Sequence, residues 1–291
     1  MSRDIVLYKV KRDWKRDLVV MAPAETECGR IEFPRDRDTL RIPKAEKNRP
    51  LRIRIGQAGL KGLVKGKWEY HTPADREGMR VLISGSGRCG TQAIADFLDG
   101  ERYEDDAIVS AKHETLYEYI LPKLVENDTE SVAEMLRGMC HNLESAPYYS
   151  LCTRAIRAKT VVHLIRDGRR VVQSGINRGW YQSDNIWNRI KPEMGEDTFS
   201  NCCHLWRHSV ENMQRCTPHV FRLEDLVRSG DTLRRFLRTI EVRSPRKAIP
   251  HANKGRSSSS FTGWTDADRE CFTEICGETM DRYYPRWRQE W

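Results

Sequence analysis

No run in this chain approaches the roughly 18 to 20 apolar residues that a membrane-crossing helix needs, so a helical membrane protein is excluded. No C-x-x-C pair occurs among its nine cysteines, and the adjacent Cys202 and Cys203 suit neither an ordinary disulfide nor a zinc site. The thiols therefore read as free and mostly buried. The first residues, MSRDIVLYKVKRDWKRD, lack the apolar core of a secretion signal. A cytoplasmic protein is the expectation. No internal repeat is present.

What is there is charge. Of 291 residues 32% are charged, and the net charge is +8. Residues 1–78 hold 19 Lys and Arg against 12 Asp and Glu, so nearly all of the excess lies in that stretch. Such a stretch can attract an acidic polymer or a membrane surface, or simply be a solvated face. No nucleic-acid partner is expected.

The length allows one large α/β domain with an extension. Short alternating runs, Ile5–Tyr8, Leu18–Met21, Arg30–Phe33 and Leu51–Ile55, sit between turn residues and predict a β-rich extension over residues 1–78. A linker over Thr72–Gly78 leads into the main domain, 79–291. There apolar runs alternate with helical patterns. Strands are expected at Val81–Ile83, Ala107–Val109 leading to His113-Glu114, Thr160–Ile165 and Val220–Leu223. Helices are expected after Gly90, over 115–125, 129–142, after Gly168, and over 198–216, 232–240 and 266–283, the last capped at Thr265. This alternation predicts a three-layer α/β sandwich with a central, mostly parallel sheet, P-loop-like in its first turn.

That first turn is Gly85-Ser86-Gly87-Arg88-Cys89-Gly90-Thr91, between an apolar strand and a helix. Glycines allow close approach of the backbone, and the helix start offers unpaired N–H groups and the positive end of its dipole. Arg88, Thr91 and Gln92 add donors. The loop is suited to phosphate or sulfate. Gly85 and Gly90 have P-loop spacing, but Thr91 follows Gly90 directly, with no lysine between. The cation lies inside the loop, at Arg88. Cys89 reads as a small residue that fits there.

Two further segments stand in order behind it: Arg166-Asp167-Gly168-Arg169-Arg170-Val171-Val172-Gln173-Ser174, and Leu223-Glu224-Asp225-Leu226. Together, over about Met79 to Tyr284, the three segments resemble the sulfotransferases that use 3′-phosphoadenosine 5′-phosphosulfate, and RDGRRVVQS with Arg178-Gly179-Trp180 looks most like their bacterial branch. The resemblance implies that Gly87, Arg88, Cys89, Gly90, Thr91 and Gln92 hold the 5′-phosphosulfate. Arg166 and Ser174 would hold the 3′-phosphate, which separates this donor from ATP. Arg88 becomes the group that neutralises the leaving oxygen. Either Glu114 or His113 becomes the general base, Glu114 being favoured by its distance in sequence from Arg88. Their strand is expected beside Val81–Ile83 in the parallel sheet, reaching the same edge as the glycine loop, and on a strand the two would face opposite ways. Asn253-Lys254-Gly255-Arg256-Ser257 resembles the family's late basic loop, which assigns Lys254 and Arg256 to the donor, although here it runs on into serines. Trp180, Tyr181 and Trp187 are candidates for an acceptor pocket or for core. No metal is required by this scheme. The acceptor is a hydroxyl, on a carbohydrate, a glycolipid or a small molecule. Two other readings stand beside it: a P-loop nucleotide kinase or triphosphatase, which the missing lysine disfavours, and a non-catalytic binding protein on the same fold.

Overall fold

A computed structural model describes residues 3–9, 18–21, 30–32, 51–55, 79–139, 141–182, 189–190, 195, 197–243, 249 and 261–291. In chain order its strands and α-helices are β1 (Arg3–Lys9), β2 (Leu18–Met21), β3 (Arg30–Glu32), β4 (Leu51–Ile55), β5 (Val81–Ser84), α1 (Thr91–Leu98), β6 (Ala111–His113), α2 (Tyr117–Val125), α3 (Thr129–Gly138), β7 (Leu143–Ser145), β8 (Thr160–Ile165), α4 (Gly168–Ile176), α5 (Thr198–Cys216), β9 (Val220–Arg222), α6 (Leu223–Arg228), α7 (Gly230–Thr239) and α8 (Asp266–Tyr283). The chain divides into two compact units, Met1–Met79 with Leu116–Asn142, and Arg80–Thr115 with Leu143–Trp291.

In the first unit four strands form a sheet in the order β2-β1-β4-β3. β1 is antiparallel to β2 and β4, and β3 is parallel to β4. These are the alternating runs marked in the sequence. The same unit holds α2 and α3, the latter capped by the Asp128 side chain, which accepts from Ser131 N–H.

The second unit is an α/β sandwich on a five-stranded sheet, order β6-β7-β5-β8-β9, with every described pair parallel. β5 and β8 are the uninterrupted apolar runs expected of strands covered on both faces. They pair from Val81↔Thr160 to Ser84↔His163. Val81, Ile83, Val162, Leu164 and Phe221 form one core with Ile94 and Phe97 of α1 and Phe236 and Leu237 of α7. Burying each such side chain contributes about 1.5–3 kcal/mol. α5 and the 3₁₀ turn Pro147–Leu151 pack on the sheet from elements outside that core. α5 and α8 both begin at capping boxes, Asp197 with Ser200 and Thr265 with Asp268. No helix among the described residues is long and apolar enough to cross a membrane.

Four expectations are corrected. The run Ala107–Val109 is not a strand: Ile108 is 59% exposed, and β6 begins at Ala111. β6 does not lie beside β5. β7, which carries no apolar pattern, pairs between them. The pattern over 129–142 gives a helix that stops at Gly138, and Leu223 begins α6 instead of ending β9.

Candidate functional site: an anion seat at the sheet edge

Because the sheet is parallel, the loops after β5, β6 and β8 leave from one edge, where open α/β sheets take ligands. The β5–α1 loop is shaped by close approach. A Cβ on Gly85 would lie 1.9 Å from the Leu164 carbonyl oxygen, so only glycine fits there. Gly90 has φ 93° and precedes α1 with no side-chain cap. The first N–H groups of α1 therefore keep their capacity for an outside acceptor. Inside the loop the buried Ser86 hydroxyl has no hydrogen-bond partner. An orphaned buried hydroxyl is rare in native proteins and marks a place where a ligand atom or water belongs. Together the uncapped helix start and the orphaned hydroxyl offer donors that suit an anionic group.

Arg88 joins this loop to the β8–α4 turn. Its Nε donates to Ser174 Oγ at 3.0 Å, and its carbonyl accepts from Arg166 Nη1 at 3.0 Å. Arg88 has φ 65°, a conformation costly for a residue with a side chain. Burial lowers its pKa, and the Arg178 and Arg166 guanidiniums lower it further, with Cys89 and Glu114 opposing them. Three guanidiniums thus converge here. Cys89 is fully buried, and burial pushes its thiol up to about 12, so it contributes a backbone N–H and no thiolate. Gln92 is exposed on α1. Gly87 packs under Trp180, whose ring would lie 2.5 Å from a Cβ there.

Thr91 and the β6 end meet on the other side. Thr91 Oγ1 and His113 Nε2 are 3.0 Å apart, and Ser145 Oγ donates to the Thr91 carbonyl at 2.9 Å. His113 Nε2 also lies 3.8 Å from Glu114 Oε1. The strand rule that would place these two side chains on opposite faces stops at His113. Glu114 has φ 51°, which breaks the alternation and brings imidazole and carboxylate together.

The β8–α4 turn is built from side chains. Asp167 caps α4 by accepting from Arg169 N–H at 2.9 Å. The buried Arg169 fork returns to the same carboxylate at 3.1 and 2.7 Å and reaches the Trp287 and Glu290 carbonyls. Glu224 of the Leu-Glu-Asp-Leu segment accepts from Asp167 N–H and, through its second oxygen, from Tyr284 OH. That segment is a brace behind Arg166.

Gly87, Arg88, Cys89, Gly90, Thr91, His113, Glu114, Arg166 and Ser174 therefore share one edge. Lys254, Arg256 and Trp187 lie outside the described residues. Trp180 and Tyr181 are buried, and Trp180 packs against Gly87 and Gly175. Sequence reasoning missed Arg178, which is exposed and acts on Arg88 ahead of Arg166. It lies two residues past the end of α4, in the turn that leads to Trp180.

No protein-family model matches the chain, and no curated protein matches it. Among solved structures the chain is similar to a sulfotransferase domain from the curacin biosynthetic pathway at 15% identity, covering 59% of this chain and 76% of that one, TM-score 0.38. It is also similar to a sulfotransferase domain from the Synechococcus PCC 7002 olefin synthase at 13% identity, covering 61% and 78%, TM-score 0.38.

Proposed function

We propose that this chain is a sulfotransferase that moves a sulfuryl group from 3′-phosphoadenosine 5′-phosphosulfate to an acceptor hydroxyl. The observation that carries the reading is Arg88, whose side chain and carbonyl bond to Ser174 and Arg166 across two loops. A ligand with anions at two ends fits such a doubled seat better than a nucleotide with one. The α1 start, Ser86 and Thr91 bind the 5′ end, and Arg166, Ser174 and Arg178 bind the 3′-phosphate. Three mutually repelling cations are stabilised by an anion among them.

The donor supplies the sulfuryl group. What the chain supplies is placement and charge. Arg88 neutralises the oxygen that leaves with the nucleotide. Glu114 accepts the acceptor's proton, and His113, held by Thr91, steadies that carboxylate. A glycan or glycolipid hydroxyl is the first acceptor class to test, with phenols and small alcohols beside it, and the cytoplasm is the compartment this reading assumes.

Calorimetric titration with adenosine 3′,5′-bisphosphate tests the donor site. Binding is expected to exceed that of AMP and to fall about tenfold or more in Arg166→Ala, as a lost charged hydrogen bond costs about 1.5–3 kcal/mol. Equal affinity for AMP would sink the claim on the 3′-phosphate. Labelled-sulfate transfer over a panel of glycans, lipids and phenols, with Glu114→Ala as control, tests the chemistry.

A further inference from the structure

The two residues given chemical work above, Arg88 and Glu114, both hold left-handed backbone without being glycine. Such conformations persist where the surroundings over-determine them, and they collect at functional sites. At Glu114 the surroundings can be named. β6 and β7 pair with Lys112 opposite Glu144 and His113 opposite Ser145. Beyond that register the Glu114 N–H still reaches the Ser145 carbonyl, at a long 3.4 Å. The next residue, Thr115, is held on both sides of its Cα. Thr115 N–H donates to Glu144 Oε1 at 2.9 Å, and the Thr115 carbonyl accepts from Tyr148 OH at 2.6 Å. Glu144 and Tyr148 are both fully buried. Tyr148 is fixed in the 3₁₀ turn Pro147–Leu151, with its ring 4.8 Å from that of Tyr149. Ser84 Oγ donates to the Ala146 carbonyl just before that turn, which ties the grip to the end of β5.

We infer that Glu144 and Tyr148 are positioning residues for the candidate base: by holding the backbone of Thr115 at both its N–H and its carbonyl, in the two peptide planes that flank its Cα, they keep Glu114 left-handed and its carboxylate on the loop edge beside His113 and Arg88. The inference rests on the proposed function for its catalytic meaning. Burying a carboxylate is costly, and at Glu144 one offset to that cost is the Thr115 N–H, which it holds in place. Burial also raises the Tyr148 pKa well above its ordinary value, so its hydroxyl stays a donor.

The test uses the full chain with Tyr148→Phe, Glu144→Ala and Glu144→Gln, the last keeping an acceptor oxygen. Three quantities are measured: amide hydrogen exchange at Thr115, the dissociation constant for adenosine 3′,5′-bisphosphate, and the turnover of labelled-sulfate transfer. In Tyr148→Phe and Glu144→Ala, exchange at Thr115 should quicken about tenfold and turnover should fall about tenfold or more, with the dissociation constant within about twofold of wild type. Glu144→Gln should keep all three near wild type. Wild-type exchange and turnover in Tyr148→Phe and Glu144→Ala would overturn the inference. So would a Glu144→Gln that behaves like Glu144→Ala, or a loss of donor binding that matches the loss of turnover, since that is general damage. If Glu144→Ala does not fold, Tyr148→Phe decides by the same criteria. A wild-type chain that neither binds the bisphosphate nor transfers sulfate would defeat the functional reading instead, and Thr115 exchange would still show whether the backbone grip exists.

Discussion

At the end of β5 the chain enters α1 through glycine, with Gly90 left-handed and no side chain over the helix start. At the end of β8 it enters α4 through Asp167, whose carboxylate occupies that position itself. Both turns leave the same sheet edge, and Arg88 bonds to both. Their capacities still differ. The first keeps N–H groups for an anion from outside. The second has already filled its helix start, so under the proposed function an anion there would be held by the side chains of Arg166 and Ser174. One turn is built on backbone and the other on side chains, and they should fail differently.

The largest effect is expected in the side-chain turn. Arg169 is 1% exposed and pairs through its fork with Asp167. Arg169→Met leaves that carboxylate buried without its partner, and breaking a buried pair in this way costs about 3–5 kcal/mol. Asparagine also caps helices well, so the double variant Asp167→Asn with Arg169→Met should recover most of the loss. Urea denaturation of the two variants beside wild type reads this directly. A double variant no more stable than Arg169→Met alone would mean that the turn is not a matter of paired side chains.

The backbone turn should allow no such rescue. In Gly85→Ala the added Cβ meets the Leu164 carbonyl oxygen at 1.9 Å. That carbonyl belongs to β8, which is paired to β5 up to Ser84↔His163, so neither strand can yield. A loss of about 3 kcal/mol, at the upper end for overpacking, is expected as a lower urea midpoint or a lower yield of folded protein. A Gly85→Ala protein with the wild-type midpoint would remove the contrast between the two turns.

These differences explain which parts of the molecule were legible in the sequence. β8, α5 and α8 follow the sequence residue for residue, because an unbroken apolar run and a 3.6-residue period between caps state the buried face directly. The glycine loop before α1 was legible for the same reason, since its glycines and Arg88 are adjacent in sequence. β7 was not. It is three residues long, and its middle residue is Glu144, which sequence logic puts in water. Glu144 is buried because its carboxylate takes the Thr115 N–H, a partner 29 residues away. Glu114 was named as a candidate, but its left-handed backbone, which sets what its carboxylate faces, leaves no mark in its own side-chain type. Ile108 shows the opposite error: an apolar run that stays exposed.

The smallest effect at neutral pH concerns the pair that lies under the two turns. Ser84 and His163 are opposite each other in β5 and β8. The Ser84 hydroxyl donates to the Ala146 carbonyl at 2.7 Å, whereas both ring nitrogens of His163 are buried without a hydrogen-bond partner, and its ring meets Tyr283 edge-on at 6.4 Å. Burial pushes the His163 pKa from 6.5 down to about 4. The folded chain therefore keeps this imidazole neutral at a pH where the unfolded chain protonates it. Its contribution to stability is complete above the unfolded value and is lost as pH falls towards the folded one, by about 3 kcal/mol in all. Placing leucine there removes both the orphaned nitrogens and the titration. His163→Leu should match wild type or exceed it by about 1 kcal/mol near pH 7.5, and its advantage should widen by up to about 3 kcal/mol towards pH 4. Urea midpoints of the two proteins across that range isolate the difference, because every other titrating group is common to both. Parallel curves would show that His163 is as well satisfied as Ser84 and that acid does not act on the β8 side of the sheet through this residue.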